Sequence, residues 1–457
     1  MRLHHLAWAA GWLGLPLAHY WLVTRTEPFY SAIYCFLWWS YIFAADYVVY
    51  RMRGTSLLKN RTKEFLFLAV WSVPLWMLFE AVNLRIHNWY YVMAPWSFSY
   101  GWLFLLLAFA TVLPGLFETM ELIVGLIEKL APGGIIAGTP FRVSLRDVRI
   151  QWAIGVAMLV LLLIFPEDCF CLAWGFAFFL TDPICYWKQR REKNQVGRSL
   201  LGQLASGNNT RLVALLLAGF ICGGLWEAWN LPARTKWIYS VPFFDELKLG
   251  EMPVLGFLGF PPFALECYGL VNLLGLLRGG RHWELAASEN REHPGLPSWG
   301  VAACAVFVPL GMLACVIGTA WHTVASLAWP VEHFFRQELG EDGVNALQQR
   351  HASHGIQFLQ LTERPPEIAA DLYARMRRIV ALSECKGMGM PNALALETLK
   401  ITRLEQLARE DPLELASKLR EAGRRVRLEE VKMWIREANR LVTRSAKTNN
   451  STPHNAA

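Results

Sequence analysis

The stretch Phe79-Glu80-Ala81-Val82-Asn83-Leu84 recurs in related form as Trp226-Glu227-Ala228-Trp229-Asn230-Leu231. Each copy is followed by an aromatic segment and then by a Pro-x-x-x-Glu segment: Trp89-Tyr90 and Pro114-Gly115-Leu116-Phe117-Glu118, then Trp237-Ile238-Tyr239 and Pro262-Phe263-Ala264-Leu265-Glu266. The two glutamates are 38 residues apart in the first copy and 39 in the second. A carboxylate within an apolar span is costly, so all four glutamates are candidate functional residues.

Composition indicates a polytopic membrane protein. Of the 457 residues, 54% are hydrophobic and only 18% are charged, and 21 are Trp. The mean hydropathy is +0.27. Apolar runs of about 18 or more residues are long enough to cross a bilayer. We predict nine spans, near residues 4–23, 30–50, 65–84, 100–127, 150–166, 169–187, 212–230, 251–277 and 299–322.

Basic residues are concentrated in alternate loops. They cluster in 51–64 and 188–211 and, more weakly, in 127–149 and 278–298. Loops rich in Lys and Arg lie on the cytoplasmic side. This pattern predicts a bacterial inner-membrane protein with a cytoplasmic N-terminus, and it places both Trp-Tyr segments at the outer interface.

No cofactor or metal site is indicated by the sequence. The nine cysteines lie mostly within spans, where Cys behaves as a small apolar residue rather than as part of a disulfide framework. No His-Glu-x-x-His spacing and no glycine-rich dinucleotide fingerprint occurs. We therefore predict neither a metal nor a cofactor.

The repetition extends upstream of the glutamates. Trp38 and Asp46 are eight residues apart, as are Trp174 and Asp182. Spans one to four therefore correspond to spans five to eight. Parallel repeats of this kind often enclose a site at their interface. We predict an all-α bundle of two four-helix repeats, at 1–140 and 141–298, with an additional span at 299–322.

Position along the helices suggests different roles for the acids. Asp46 and Asp182 lie near cytoplasmic helix ends, where we expect ion pairs with the basic residues that follow them. Proline favours the first turn of a helix, so helices are expected to start or bend at Pro114 and Pro262. Glu118 and Glu266 would then approach Glu80 and Glu227 in two equivalent sites on the outer half of the membrane.

Such sites suit proton-initiated chemistry on an apolar polyene. A carboxyl group in an apolar pocket can hold a proton near neutrality, and aromatic faces stabilise a developing cation. The predicted catalytic residues are Glu80, Glu118, Glu227 and Glu266. The predicted substrate-binding residues are Asn83, Trp89, Tyr90, Asn230, Trp237 and Tyr239. The alternative is structural, because buried polar residues also hold membrane helices together.

An acid, then Trp with an aromatic partner, then Pro-x-x-x-Glu, all repeated, resembles the lycopene cyclase domain family of carotenoid enzymes. The resemblance covers about residues 30–280 and implies an enzyme that acts on an isoprenoid lipid by proton transfer, without redox change. Glu80 and Glu227 take the positions of the family's first acid, which is usually Asp. Glu118 and Glu266 stand one or two residues later than the family's acidic pair.

The C-terminal third has a different composition. Residues 323–380 resemble an amphipathic helical connector, and 446–457 a disordered polar tail. Residues 381–445 contain Leu382-Ser383-Glu384-Cys385-Lys386-Gly387-Met388-Gly389 and resemble a helix-hairpin-helix domain. We expect this domain in the cytoplasm, docking a protein partner more readily than nucleic acid. The alternative function is therefore a non-enzymatic scaffold or sensor that presents this module.

Two local features of that domain can be predicted from the sequence. Asp411 before Pro412 is expected to cap a helix. The residues Val431, Trp434, Ile435 and Ala438 form the apolar stripe of a last helix.

Overall fold

The computed structural model of the protein divides into two compact units. It describes residues 3–92, 98–192, 199–239, 241, 247–278, 281–285, 298–322, 324–325, 331–352, 355–385, 387–424 and 426–450. The first unit comprises Met1–Trp89, Phe104–Ala233 and Trp237–Thr323. The second comprises Tyr90–Leu103, Arg234–Lys236 and Val324–Ala457.

Helices dominate the described residues, which confirms the predicted all-α class. Up to residue 322 they are α1 Leu3–Thr24, α2 Ile33–Arg53, α3 Leu57–Asn60, α4 Thr62–Ile86, α5 Phe98–Phe109, α6 Val112–Leu130, α7 Leu145–Ile164, α8 Pro166–Cys169, α9 Phe176–Glu192, α10 Leu200–Ala205, α11 Thr210–Asn230, α12 Phe260–Leu277 and α13 Ser298–His322. Those that follow are α14 Val331–Gln349, α15 Gly355–Gln360, α16 Ala370–Ser383, α17 Gly389–Thr398, α18 Leu404–Leu407, α19 Pro412–Glu421 and α20 Leu428–Asn450. The short strands are β1 Trp89–Val92, β2 Lys236–Tyr239, β3 Lys248–Leu249, β4 Met252–Pro253 and β5 Val324–Ala325.

Seven helical segments of the described residues are long and apolar enough to cross a membrane. They are Tyr30–Arg53, Thr62–Ile86, Gly101–Leu130, Leu145–Ile164, Thr210–Asn230, Val254–Leu277 and Trp299–Thr319. An eighth span would join Pro166–Ala173 to Phe176–Lys188, which are bent by 43° at their junction. The predicted first span is a 22-residue helix, α1, which is not among these seven segments. The chain is thus an integral membrane protein.

Glycines allow two pairs of helices to pack closely. A Cβ atom on Gly11 of α1 would lie 2.5 Å from the backbone nitrogen of Ala44 in α2. A Cβ atom on Gly155 of α7 would lie 2.9 Å from the backbone nitrogen of Leu180 in α9. Ala44 and Leu180 are 136 residues apart, the same interval that separates Asp46 from Asp182. Small residues permit such close approach of membrane helices.

The two buried aspartates hold the short helices α3 and α10. Asp46 accepts hydrogen bonds from the Leu58 backbone (2.9 Å), the Ser56 hydroxyl and the Trp8 indole. Asp182 accepts hydrogen bonds from the backbone of Leu200–Leu201 at 2.7 and 2.9 Å. The expected ion pairs with the following basic residues are therefore not what holds these carboxylates. Instead, each carboxylate binds the amino end of the helix that follows, where backbone N–H groups lack intrahelical acceptors.

The prolines act as predicted. α6 begins at Val112, after a break at 110–111, so that Pro114 lies in its first turn. α12 begins at Phe260, and Pro262 likewise lies in its first turn. Both glutamates that follow are therefore in the second turn of a helix.

The second unit combines the C-terminal helices with two earlier segments. β1 pairs in parallel with β5, in a register that places Tyr91 opposite Val324. α16 and α17 are joined by a short hairpin in which Gly387 and Gly389 have φ of +76° and +67°, a backbone conformation that favours glycine. A Cβ atom on Gly387 would collide with the terminal methyl of Met433, so this side of the hairpin packs on α20.

Both local predictions for this region are confirmed. Asp411 caps α19, because its carboxylate accepts hydrogen bonds from the backbone of Leu413 and Glu414 at 2.9 and 3.0 Å. The predicted stripe of α20 is buried. Two boundaries differ: residue 380 lies inside α16, and α20 continues to Asn450, so part of the predicted tail is helical. The rest of that tail, 451–457, lies outside the described residues.

Candidate functional site

The Glu80 carboxylate is completely buried near the end of α4 and is held by two tryptophans. Its Oε1 accepts hydrogen bonds from the Trp76 indole at 2.9 Å and from the Trp89 indole at 3.0 Å. Trp76 precedes Glu80 by one helical turn, so the two side chains share a face of α4. Trp89 comes from the loop that follows the helix. We call this arrangement the first carboxylate site.

Aromatic rings from distant parts of the chain enclose the first carboxylate site. Trp174 stacks on both Phe79 and Trp89, with ring centroids 5.9 Å apart in each case. Phe263 meets Phe79 edge to face at 5.2 Å and Trp174 at 5.8 Å. Trp174 and Phe263 both lie after residue 141, in the second predicted repeat. The site is thus formed by both halves of the membrane region.

Glu227 lies near the end of α11. It is 5% exposed, and its Oε1 accepts a hydrogen bond from the Tyr239 hydroxyl at 3.0 Å. Tyr34 of α2 is an electrostatic neighbour of this carboxylate. The Tyr34 ring meets Trp237 edge to face at 5.0 Å. We call this arrangement the second carboxylate site.

Rings from the first half enclose the second carboxylate site in turn. Trp38 of α2 lies 5.6 Å from Trp226 and 5.1 Å from Trp229, the two tryptophans that flank Glu227. In the predicted repeats, Trp38 corresponds to Trp174 and Trp226 corresponds to Phe79. Each carboxylate site therefore takes a tryptophan from the other half of the membrane region.

The two predicted asparagines position loops. The Asn83 amide donates to the Trp89 carbonyl (2.8 Å) and accepts from the Trp89 and Asn88 backbone N–H groups. The Asn230 amide donates to the Trp237 carbonyl at 2.9 Å and accepts from its N–H at 3.0 Å. Each amide therefore holds the backbone of the segment that follows its helix. Their observed contacts fix the tryptophan that follows, and substrate binding by these residues stays a prediction.

Glu118 is buried in α6 and is grouped with other acids. Its electrostatic neighbours include Asp46, Glu121 and Arg61. Neither of its carboxylate oxygens has a hydrogen-bond partner in the described part of the chain. It therefore shares no hydrogen bond with Glu80, and the expected approach of the two side chains stays a prediction.

Glu266 is also buried, but it caps a helix. Its Oε1 accepts a hydrogen bond from the Ala177 backbone N–H at 2.9 Å, at the first turn of α9. A carboxylate at this position is favoured by the helix dipole. α9 begins here because the chain is bent after Trp174, whereas α2 runs on without a break through the equivalent region. This difference explains why Glu266 has backbone donors and Glu118 does not.

The remaining predicted residues divide between the two units. Trp89, Trp237 and Tyr239 belong to the first unit with the glutamates. Tyr90 belongs to the second unit, where its hydroxyl donates to the Met433 sulfur at 3.3 Å. Among the described residues no cluster of three or more His, Cys, Asp or Glu side chains could hold a metal ion.

Sequence reasoning missed several residues of these sites. Trp76 could have been found from its spacing, four residues before Glu80 on a helix. Tyr34, Trp174 and Phe263 could not be assigned to a particular glutamate, because their contacts join helices far apart in sequence.

Comparison of the chain with protein-family models, curated proteins and solved structures found no match.

Proposed function

We propose that the protein is a membrane enzyme that isomerises an apolar isoprenoid lipid by proton transfer at two equivalent sites. The observation that carries the proposal is the reciprocal aromatic enclosure of Glu80 and Glu227, with Trp174 contributed to one site and Trp38 to the other. Aromatic faces around a carboxyl group suit a cationic intermediate of a polyene. The resemblance to the lycopene cyclase domain family agrees with this chemistry.

The reaction conserves atoms and electrons. A protonated carboxyl donates its proton to one carbon of a double bond and leaves a carbocation on the other. A second double bond attacks this carbocation, and a C–C bond forms. Loss of a proton from an adjacent carbon to a carboxylate restores a neutral product. The indole N–H groups at Glu80 and the Tyr239 hydroxyl at Glu227 stabilise the carboxylate once it has given up its proton.

The two sites belong to two parallel four-helix repeats in this proposal. Three pairs of equivalent contacts support the duplication: Gly11 and Gly155 at helix crossings, Asp46 and Asp182 at short helices, and the asparagines that hold the following tryptophans. A duplicated site needs both repeats, since each supplies rings to the other. The basic loops and the N-terminus face the cytoplasm of a bacterial inner membrane.

Expression in a lycopene-producing host tests the proposal. We expect a new pigment of unchanged mass and altered chromatographic retention, because cyclisation rearranges bonds without adding atoms. Glu80→Gln and Glu227→Gln each remove one proton donor, and the double variant should form product about 100-fold or more slowly. Glu167→Gln, an exposed acid in α8, serves as the matched control and should retain activity.

Unchanged pigments and unchanged host isoprenoids, with wild-type protein present in the membrane, contradict the enzymatic proposal. Full activity in the double Gln variant would contradict the assignment of the proton donors. Mass spectrometry of total lipid extracts measures product formation by both the wild-type protein and the double variant.

A non-enzymatic scaffold or sensor is the second candidate, and burial of the carboxylates favours it. Glu80, Glu118 and Glu266 are 0% exposed and Glu227 is 5% exposed, so a substrate would have to displace side chains to reach them. In this reading the glutamates fix helix packing, and the C-terminal helices bind a soluble protein.

Capture with the full-length protein in detergent tests the scaffold. We expect a specific protein to co-purify, and its recovery to fall when the exposed Leu413 of α19 is replaced by Asp, because a contact surface loses apolar area. Leu130→Asp, at the exposed end of α6, is the control. Recovery of background proteins alone counts against the scaffold.

A further inference from the structure

Glu118 is a buried acid of the first unit that the two carboxylate sites do not use. Its side chain lies in α6 and is 0% exposed, and neither oxygen of its carboxyl group has a hydrogen-bond partner among the described residues. An ionised carboxylate buried without a donor is costly, because nothing replaces the hydrogen bonds that it makes with water. The group therefore needs either a partner of opposite charge or a proton.

The cation that faces Glu118 is already held by a neighbouring acid. Arg61, which precedes α4, is an electrostatic neighbour of Glu118, but it donates two hydrogen bonds to Glu121 at 2.7 and 2.8 Å. Arg53, at the end of α2, contacts Glu121 at 3.2 Å and Glu128 at 3.0 Å. Both cations are thus paired with the two acids that follow Glu118 in α6.

Asp46 of α2 faces Glu118 and has the hydrogen-bond donors that Glu118 lacks. It is near enough to act on Glu118 as a charge and, once one of the two groups is protonated, as a hydrogen-bonding partner. Its carboxylate accepts hydrogen bonds from the Trp8 indole (2.7 Å), the Ser56 hydroxyl (2.9 Å) and the Leu58 backbone (2.9 Å). A carboxylate has about four acceptor positions, so one remains for an O–H donor. Three donors at Asp46 and none at Glu118 favour the negative charge on Asp46 and the proton on Glu118.

Two further titratable groups face this part of α6, and both are neutral at pH 7. Tyr41 of α2 is an electrostatic neighbour of Glu118, and Cys222 of α11 is a neighbour of Tyr41. The Tyr41 hydroxyl and the Cys222 thiol both bind the Thr119 hydroxyl, at 2.7 and 3.3 Å. Phenol and thiol groups ordinarily lose their protons only above neutral pH. They therefore add no positive charge that would offset the charge of Asp46.

The corresponding acid of the second predicted repeat is held differently. Glu266 accepts a hydrogen bond from the Ala177 backbone at 2.9 Å. It thus has a donor of the kind that Glu118 lacks. The arrangement of two facing acids, one with donors and one without, is therefore assigned to the first half of the membrane region alone.

We propose that Glu118 is a proton-binding site inside the membrane region, with a neutral carboxyl group that donates its O–H to the Asp46 carboxylate. The ligand is a proton that exchanges with water by way of Asp46. In that step the O–H bond of Glu118 breaks and the proton passes to Asp46, so that Glu118 gains the negative charge that Asp46 loses. The site goes beyond the proposed function, because proton binding and exchange need no lipid.

Infrared spectroscopy of the full-length protein in detergent at pH 7 tests the site. A protonated carboxylic acid has a carbonyl band apart from those of carboxylates and backbone amides, and this band shifts when deuterium replaces the proton. We expect Glu118→Gln to lose the part of the band that a single carboxyl group contributes. In the wild-type protein the same part should shift in D₂O. Glu128→Gln is the matched control near the end of the same helix, with a side chain that is 44% exposed, and it should leave the band unchanged.

A carbonyl band that is the same in Glu118→Gln as in the wild-type protein would overturn the proposal. A Glu118 contribution that does not shift in D₂O would overturn the exchange of its proton with water. Neither spectrum requires a lipid substrate, so a failure of lipid conversion would reject the proposed enzyme without affecting this result.

The equilibrium constant of unfolding in detergent gives a second, independent measurement. Gln has the shape of a neutral Glu and keeps a donor for Asp46, so Glu118→Gln should change this constant by less than about threefold. Glu64→Gln is the comparison, because the Glu64 carboxylate accepts two hydrogen bonds from Arg278, at 2.7 and 3.0 Å. That variant should raise the constant by about tenfold or more. An equal rise in Glu118→Gln would show that Glu118 needs its charge, which contradicts the proposal.

Discussion

Arg61→Met is expected to lower the free energy of unfolding by about 3 kcal/mol, because it leaves a buried carboxylate without its main partner. Arg61 donates two hydrogen bonds to Glu121, at 2.7 and 2.8 Å. The two side chains are 4% and 2% exposed. Arg53 also contacts Glu121 at 3.2 Å, and this second cation keeps the expected loss at the lower end of the range for broken buried pairs.

Thermal or denaturant titration of the protein in detergent measures this change in the free energy of unfolding. Arg350→Met breaks the pair with Glu367, in which both side chains are substantially exposed (35% and 47%), and should cost less than about 1 kcal/mol. Replacing Arg61 and Glu121 together by apolar residues should recover most of the loss. If the Arg61→Met variant is no less stable than the Arg350→Met variant, the Arg61–Glu121 pair does not contribute the stability expected of it.

Gly219→Ala is expected to destabilise the protein by about 2 kcal/mol through overpacking. A Cβ atom on Gly219 of α11 would lie 2.5 Å from the Phe260 carbonyl oxygen and 2.9 Å from the Cα of Pro261. Both neighbours are backbone atoms of α12, so they can yield only if the helices separate. The same measurement of unfolding applies.

Gly224→Ala is the matched control, on the same helix. A Cβ atom at Gly224 meets nothing within 4 Å. The substitution should be neutral or slightly stabilising, because Ala forms helix more readily than Gly. Equal destabilisation by the two substitutions would show that loss of glycine itself matters, rather than the close approach of α11 and α12.

The four glutamates show which contacts could be predicted from local sequence spacing and which could not. The spacing of Glu80 and Glu227 from the aromatic segments was visible in the sequence, and both glutamates indeed receive a hydrogen bond from an aromatic side chain of the following loop. The expected partners Glu118 and Glu266 differ from each other: Glu266 accepts a hydrogen bond from the Ala177 backbone, whereas Glu118 accepts none from the described residues. Their environments depend on whether the neighbouring helix is continuous, as α2 is, or begins anew, as α9 does.

The sequence by itself determined the all-α membrane class, the helix starts near Pro114 and Pro262, and the cap at Asp411. These features follow from hydropathy and from rules that act within one or two helical turns. Tertiary structure decided which residues meet: Trp174 with Phe79, Trp38 with Trp226, and the C-terminal strand β5 with β1. Such contacts join residues separated by about a hundred positions or more, and they depend on helix packing, for which no local pattern in the chain provides a rule.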